Sequence, residues 1–309
     1  RLFPKLKVLQ LDISGISRIP EEVEKYKSDP LVYQKNVPAR TGFELYHLMQ
    51  FIQRNAEQFF SPVLLIHGLF GNLDNLKGLG QVIEPHHQVI RVDVPNHGLS
   101  EHWQQMDYPS LAKAMVDLLD DLKLERVHIV GHSMGGKIAM ATALAYPERI
   151  ISMVAADIAP VAYQPRHDVV FAALESLPLE GHTDRRFALA HLTHSGIDEA
   201  TAQFLLKNLQ RTETGFRWKM NLSGLKACYP NIIGWYNLVE EKRQIYHGPS
   251  LFIRGGDSNY VTGEHRNAIM TQFPLAQAKT LEGCGHWLHA QKPTIFNRIV
   301  SEFIDKHTV

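Results

Sequence analysis

The chain has 309 residues, of which 44% are hydrophobic and 21% are charged, as in an ordinary globular protein. Lys and Arg together number 32, as do Asp and Glu, so nucleic acid and anionic membrane surfaces are poor partners for this protein. No apolar run approaches the roughly 18 residues of a membrane span. The chain does not open on a signal-peptide pattern, and only Cys228 and Cys284 are cysteines, so we predict a cytoplasmic protein without a disulfide framework.

The first 55 residues differ in pattern from the rest of the chain. Pro20–Lys27 predicts a short exposed helix and Gly42–Arg54 a longer one, and no residue set here suggests chemistry. We predict an N-terminal appendage over residues 1–55, either a fused or foreign leader that ends near Asn55 or a native extension that supplies the first strands of the sheet.

From Ser61 onward, strand patterns and helix patterns alternate, which predicts an α/β fold with a mostly parallel sheet and helices on both faces. We assign residues 56–160 and 249–309 to this core. Residues 161–248 contain helical patterns and no buried strand, so we predict an all-helical cap inserted before the penultimate strand. Its predicted helices are Asp168–Ser176, Arg185–Thr193 and Glu199–Gln210.

A single serine lies between an apolar strand pattern and an alanine-rich helix pattern. Gly131 precedes Ser133 by two residues and Gly135 follows it by two, so the stretch reads G-x-S-x-G. A serine on so tight a turn tolerates no Cβ at these two positions, and Gly136 lets the helix pack closely on the sheet. The pattern predicts a nucleophile whose oxygen faces the N–H groups of a helix N-terminus.

A nucleophilic serine requires a base, and the base requires an acid that orients it. His286 lies in a glycine-flanked loop between the last strand and the last helix, which favours it over His289 and His97 as the base. For the acid, Asp157 at the end of the strand before the cap is favoured, and Asp257 after the next strand remains the alternative.

Ligands bind at the carboxyl ends of strands in open parallel sheets, so the first strand end is part of the predicted site. The backbone N–H groups of Leu69 and Met134 are the expected oxyanion donors. We predict that the substrate-binding residues include His67, Gly68, Phe70 and Trp287. Neither a metal site nor a cofactor is predicted, because the paired histidines His191 and His194 have no carboxylate beside them.

Several longer motifs resemble a known family. His67–Asn75, Asp93–Ser100, Gly131–Lys137, Asp157–Pro160 and Gly285–Trp287 are similar to the YbfF-type esterases of the α/β-hydrolase superfamily. The resemblance runs from about residue 55 to the C-terminus. Pieces of residues 1–55 resemble instead the lid of monoacylglycerol lipase-like hydrolases.

The resemblance implies an α/β-hydrolase fold and a serine carboxylesterase that acts on short- to medium-chain acyl esters. It also supports Ser133, Asp157 and His286 as a catalytic triad. Alternatives with the same triad are an acyl thioesterase, a carbon–carbon bond hydrolase and a non-catalytic protein that senses a ligand. The expected partner is a small-molecule acyl ester, and the sequence does not set the oligomeric state.

Overall fold

The computed structural model describes residues 61–181, 184–235 and 245–308, together with 7–9, 20–29, 37–38, 44 and 46–50. The chain divides into two compact units, Arg1–Phe60 and Ser61–Val309. In the first unit, a helix spans Pro20–Ser28, as predicted.

The described strands of the first unit, Lys7–Leu9 and Val37–Pro38, pair with each other in a separate two-stranded sheet. The alternative in which these strands begin the large sheet is therefore wrong for the described residues. Residues 44 and 46–50 are helical, and the remainder of the helix predicted over Gly42–Arg54 lies outside the described residues.

The second unit is built on six parallel strands in the order β6-β5-β4-β3-β1-β2. The strands are β1 (Val63–Ile66), β2 (Val89–Val92), β3 (Val127–His132), β4 (Ile150–Ala156), β5 (Ser250–Gly255) and β6 (Ala276–Leu281). The helices are α1 (Lys77–Ile83), α2 (Tyr108–Asp121), α3 (Met134–Ala145), α4 (Asp168–Ser176), α5 (Arg185–His194), α6 (Glu199–Leu205), α7 (Leu222–Ile233), α8 (Arg266–Gln272), α9 (Leu288–Gln291) and α10 (Pro293–Lys306). In the ranges that the structure describes, no helix has the length and apolarity to cross a bilayer.

Helices cover both faces of the sheet, as predicted. Residues of α1 and α10 pack on one face, where Leu65 and Val130 point. Residues of α2, α3 and α8 pack on the other, where Leu64 and Ile129 point. Because both faces are covered, the central strands β1 and β3 are buried along their whole length; β1 is entirely apolar, and β3 also contains the buried residues His128 and His132.

The segment predicted to form the cap lies between β4 and β5 and contains α4 to α7. The prediction that it is all-helical is wrong, because an antiparallel hairpin of Leu209–Arg211 and Phe216–Trp218 lies within it. The helix predicted over Glu199–Gln210 ends at Leu205 and is followed by a short 3₁₀ helix. The backbone leaves the helical path where Asn208 turns inward; its buried side-chain amide donates to the carbonyl of Phe70 over 2.5 Å.

Candidate active site

Ser133 stands at the bend between β3 and α3 with φ 54° and ψ −120°, a strained conformation for a residue with a side chain. The flanking glycines make this bend possible. A Cβ on Gly131 would lie 2.0 Å from the carbonyl oxygen of Gly135, and one on Gly135 would lie 2.3 Å from that of Ile66. The G-x-S-x-G pattern is therefore required by backbone contact on both sides of Ser133.

The structure brings together the three residues of the predicted triad. The Ser133 hydroxyl donates to His286 Nε2 over 3.0 Å, and His286 Nδ1–H donates to Asp157 Oδ2 over 2.7 Å. These residues come from the ends of β3 and β4 and from the loop after β6. The carboxyl ends of parallel strands thus bring an imidazole beside the serine hydroxyl and a carboxylate beside the imidazole, the arrangement that a catalytic triad requires.

Asp157 is fully buried and has φ 51°. Its Oδ1 accepts from the Gly255 backbone N–H over 3.0 Å, and its Oδ2 also accepts from the Ser258 hydroxyl. A buried carboxylate is tolerated only with such partners. The alternative acid, Asp257, has an exposed side chain, and its backbone N–H binds the carbonyl of Cys284. Of the two candidates, Asp157 is the one in contact with His286.

Two aromatic residues that the sequence reading missed surround His286. The ring of Tyr260 stacks on the imidazole with centroids 3.8 Å apart and planes 17° from parallel. The buried His132 Nε2–H donates to the carbonyl of His286 over 2.8 Å, and burial holds the pKa of His132 well below its usual value. Tyr260 fixes the plane of the imidazole, and the neutral His132 fixes the backbone behind it.

The other base candidates do not contact Ser133. Burial lowers the pKa of His289 to about 4, and its ring packs on that of His132 at 4.4 Å. His97 packs against the loop after β1, where its Nε2 accepts a hydrogen bond from the Phe70 backbone N–H over 3.2 Å. Neither residue is placed to take the Ser133 proton.

The loop after β1 carries the expected oxyanion donor Leu69, and Met134 follows Ser133 at the N-terminus of α3. Phe70 has φ 58°, so the loop holds a second strained residue next to Leu69. Among the described residues, neither the Leu69 nor the Met134 backbone N–H donates to another protein group. The two amides are thus available to an oxyanion next to Ser133.

Two buried histidines, His67 and His97, form hydrogen bonds with the backbone of this loop. His67 Nδ1–H donates to the Gly68 carbonyl over 2.8 Å, and its Nε2 accepts from the Val94 backbone N–H over 3.0 Å. Burial lowers the pKa of His67 to about 4 and that of His97 to about 3, so both are neutral acceptors near neutral pH. Because His67 binds backbone and does not line the cavity at Ser133, the prediction that it contacts substrate is corrected to a supporting position.

A cavity of about 410 Å³ opens beside Ser133, between the sheet and the cap. The predicted residues Gly68, Leu69, Phe70 and Trp287 line it together with His286. Cap residues complete the wall: Val170, Asp198, Ala200, Thr201, Phe204 and Leu205. This volume lies within the range of small-molecule sites, and the mixed lining suits an organic molecule with a few polar atoms.

The cap also contacts the loop that carries His286. Trp287 Nε1–H donates to the Thr201 hydroxyl over 3.3 Å, and the Trp287 ring packs on Phe204 at 4.1 Å. Across the described residues, no group of three or more His, Cys, Asp or Glu side chains is placed to hold a metal ion. His191 instead contacts the Ser176 hydroxyl on the neighbouring cap helix at 3.1 Å.

Comparison with known proteins agrees with this fold. The family model described as alpha/beta hydrolase fold matches residues 61–293, and a model described as serine aminopeptidase, S33 matches residues 1–74. The chain therefore belongs to the α/β-hydrolase fold family.

Particular members are also similar. The chain is 40% identical over 246 residues to Esterase YbfF of Escherichia coli, which covers 79% of this chain and 93% of the esterase. It is 34% identical to the sn-1-specific diacylglycerol lipase ABHD11 of Mus musculus over 78% of this chain and 80% of that protein. A solved marine microorganism esterase superposes with a TM-score of 0.75 and 35% identity, covering 79% of this chain and 95% of that one.

Proposed function

We propose that this protein is a serine carboxylesterase that hydrolyses short- to medium-chain acyl esters through an acyl-enzyme intermediate. The observation that carries the proposal is the hydrogen-bonded chain from Ser133 through His286 to Asp157 at the mouth of a ligand-sized cavity. Similarity to esterases over four fifths of the chain favours oxygen esters over the thioester and carbon–carbon bond alternatives.

In the first half of the reaction, Ser133 Oγ attacks the ester carbonyl carbon while His286 Nε2 takes its proton. The N–H groups of Leu69 and Met134 bind the negative oxygen of the tetrahedral intermediate. Each such donor is typically worth about 10²–10³ in rate. His286 then protonates the leaving alcohol, and the acyl group remains on Ser133.

In the second half, water enters where the alcohol left. His286 Nε2 takes a proton from the water, the resulting hydroxide attacks the acyl carbon, and the proton then passes from His286 to Ser133 Oγ as the acid is released. Asp157 holds the proton on Nδ1 throughout and stabilises the imidazolium that forms in each half. The chemistry uses protein groups and water.

The test is the turnover of p-nitrophenyl butyrate by the full chain and by Ser133→Ala. We expect multiple turnovers by the full chain and a loss of activity of at least about 10⁴-fold in the variant. Circular dichroism serves as the control that the variant is folded. A fluorophosphonate should label the full chain at Ser133 and leave the variant unlabelled. Tight binding with turnover slower than minutes would support a ligand sensor instead.

We further propose that the protein works in the cytoplasm on a diffusible ester and not on nucleic acid. The balance of 32 basic and 32 acidic residues argues against binding to nucleic acid. Cys228 and Cys284 support a cytoplasmic location, because both are buried free thiols and a reducing compartment keeps thiols reduced.

A further inference from the structure

Ser133 lines two cavities. The larger, of about 410 Å³, is lined by His286, Trp287 and the cap residues named above. The smaller, of about 30 Å³, is lined by residues of α2, α3 and α7 and of the loop after β4, and its lining does not include His286. Most of its lining is apolar or aromatic (Leu69, Tyr108, Met134, Ile158, Tyr163, Ile232, Ile233 and Tyr260), and three basic residues, Lys137, Arg166 and His167, complete it beside Ser133.

The chemistry of the triad sets which part of an ester enters which cavity. The tetrahedral carbon bears Ser133 Oγ, the oxyanion, the leaving oxygen and the acyl chain. The leaving oxygen must lie within reach of His286 Nε2, which protonates it, and His286 lines the larger cavity only. The oxyanion occupies the amides of Leu69 and Met134. The acyl chain, the remaining substituent of the tetrahedral carbon, is therefore expected to enter the smaller cavity. Met134 and Lys137 are among the residues that line this cavity.

We propose that the smaller cavity is the acyl pocket and that the larger one receives the alcohol. This inference rests on the esterase function proposed above and narrows it. A cavity of this volume holds about two water-sized groups, so the preferred acyl groups have about two to four carbons. The substrate class is therefore a short-chain carboxylic ester of a larger alcohol.

The far wall of the small cavity is fixed by buried hydrogen bonds. Lys137, which is 1% exposed, donates from Nζ to the carbonyls of Ile233 and Gly234 over 2.9 Å and 2.7 Å. The Tyr108 hydroxyl donates to the Ile232 carbonyl over 2.5 Å. These three carbonyls form the C-terminal end of α7.

Displacing this end of α7 would leave buried acceptors and a buried amine without partners, which is strongly unfavourable. Lys137 Nζ also lies 4.8 Å from the centre of the Tyr163 ring and 5.5 Å from that of Tyr108, so the two rings pack around it. A longer acyl chain thus meets a wall that these hydrogen bonds hold in place, and we expect kcat/KM to fall as the acyl chain lengthens.

The experiment compares kcat/KM for p-nitrophenyl acetate, butyrate and octanoate with the full chain and two variants. Ile232→Ala enlarges the small cavity, and Val170→Ala is the matched control, because Val170 lines only the larger one. For the full chain we expect kcat/KM to fall at least about 10-fold from butyrate to octanoate. Ile232→Ala should reduce that ratio at least about 10-fold, and Val170→Ala should leave it unchanged.

A second series at constant acyl group compares methyl butyrate with 1-naphthyl butyrate and should respond to Val170→Ala and not to Ile232→Ala. Ile233→Ala serves in place of Ile232→Ala if that variant does not fold. The assignment is overturned if octanoate is hydrolysed as well as butyrate, or if Val170→Ala is the variant that changes the acyl-length ratio. Failure of the esterase function itself is distinct: no ester is turned over and a fluorophosphonate does not label Ser133.

Discussion

The identity of the triad acid is tested by Asp157→Asn. In the native protein, Asp157 Oδ2 accepts hydrogen bonds from His286 Nδ1–H and Ser258, and Oδ1 accepts from the Gly255 N–H. An asparagine that keeps its oxygen on the Gly255 N–H must turn its NH₂ group toward His286. That group donates to Nδ1, so the imidazole proton moves to Nε2. His286 then donates to Ser133 and cannot remove its proton.

This tautomer change lowers kcat by about 10⁴, which corresponds to roughly 5 kcal/mol of lost transition-state stabilisation. The assay is the initial rate of p-nitrophenyl butyrate hydrolysis under saturating substrate. Circular dichroism melts establish that the variant is folded. The matched control is Asp257→Asn, whose exposed side chain should leave kcat within about twofold. The reasoning is refuted if Asp157→Asn keeps more than about 1% of the native kcat, or if Asp257→Asn loses activity in its place.

Three further outcomes are expected. Ser258→Ala removes a hydrogen bond to the Asp157 carboxylate and should lower kcat by about 10-fold, a smaller loss than that in Asp157→Asn; an unchanged kcat contradicts this. Gly131→Ala places a Cβ 2.0 Å from a backbone oxygen and should abolish folding or lower the melting temperature sharply, whereas Gly263→Ala meets nothing within 4 Å and should be neutral. The free energy of unfolding, measured in urea, should fall as pH drops from about 6.5 toward 4, because His67 and His97 stay neutral in the folded protein while the unfolded chain takes up their protons. Each contributes about 1.4 kcal/mol per pH unit, so equal stabilities at pH 7 and 5 would rule this out.

The sequence was sufficient for the parts of the site that depend on local backbone. The elbow at Ser133 is predictable because its two glycines are demanded by contacts within a few residues of the bend and with the neighbouring strand. Asp157 and His286 are predictable as positions because each follows a recognisable strand of a parallel sheet, and such strands end at one edge. Choosing Asp157 over Asp257 required the structure, since the two aspartates follow adjacent strands, β4 and β5.

Other features depend on contacts between distant segments and leave no local pattern. Tyr260 stacks on His286 because the loops after β5 and β6 fold against each other. The helical pattern through Gln210 is overridden where Asn208 binds the Phe70 carbonyl, because a buried hydrogen bond outweighs a weak propensity. His67 was predicted to bind substrate because it stands at the carboxyl end of the first strand, where ligands bind in open parallel sheets. Its burial and its two backbone hydrogen bonds appear only in three dimensions.

Trp287 connects the wall of the larger cavity with the segment that carries His286. It is adjacent to His286 in the chain, and its ring and N–H are fastened to Phe204 and Thr201 of the cap. A rearrangement of the cap that admits a bulkier molecule is therefore expected to displace the segment that carries His286, the proposed general base. Substitutions selected for a new substrate at α6 will change turnover as well as affinity, and restoring turnover will require a second change on the Trp287 side of that contact.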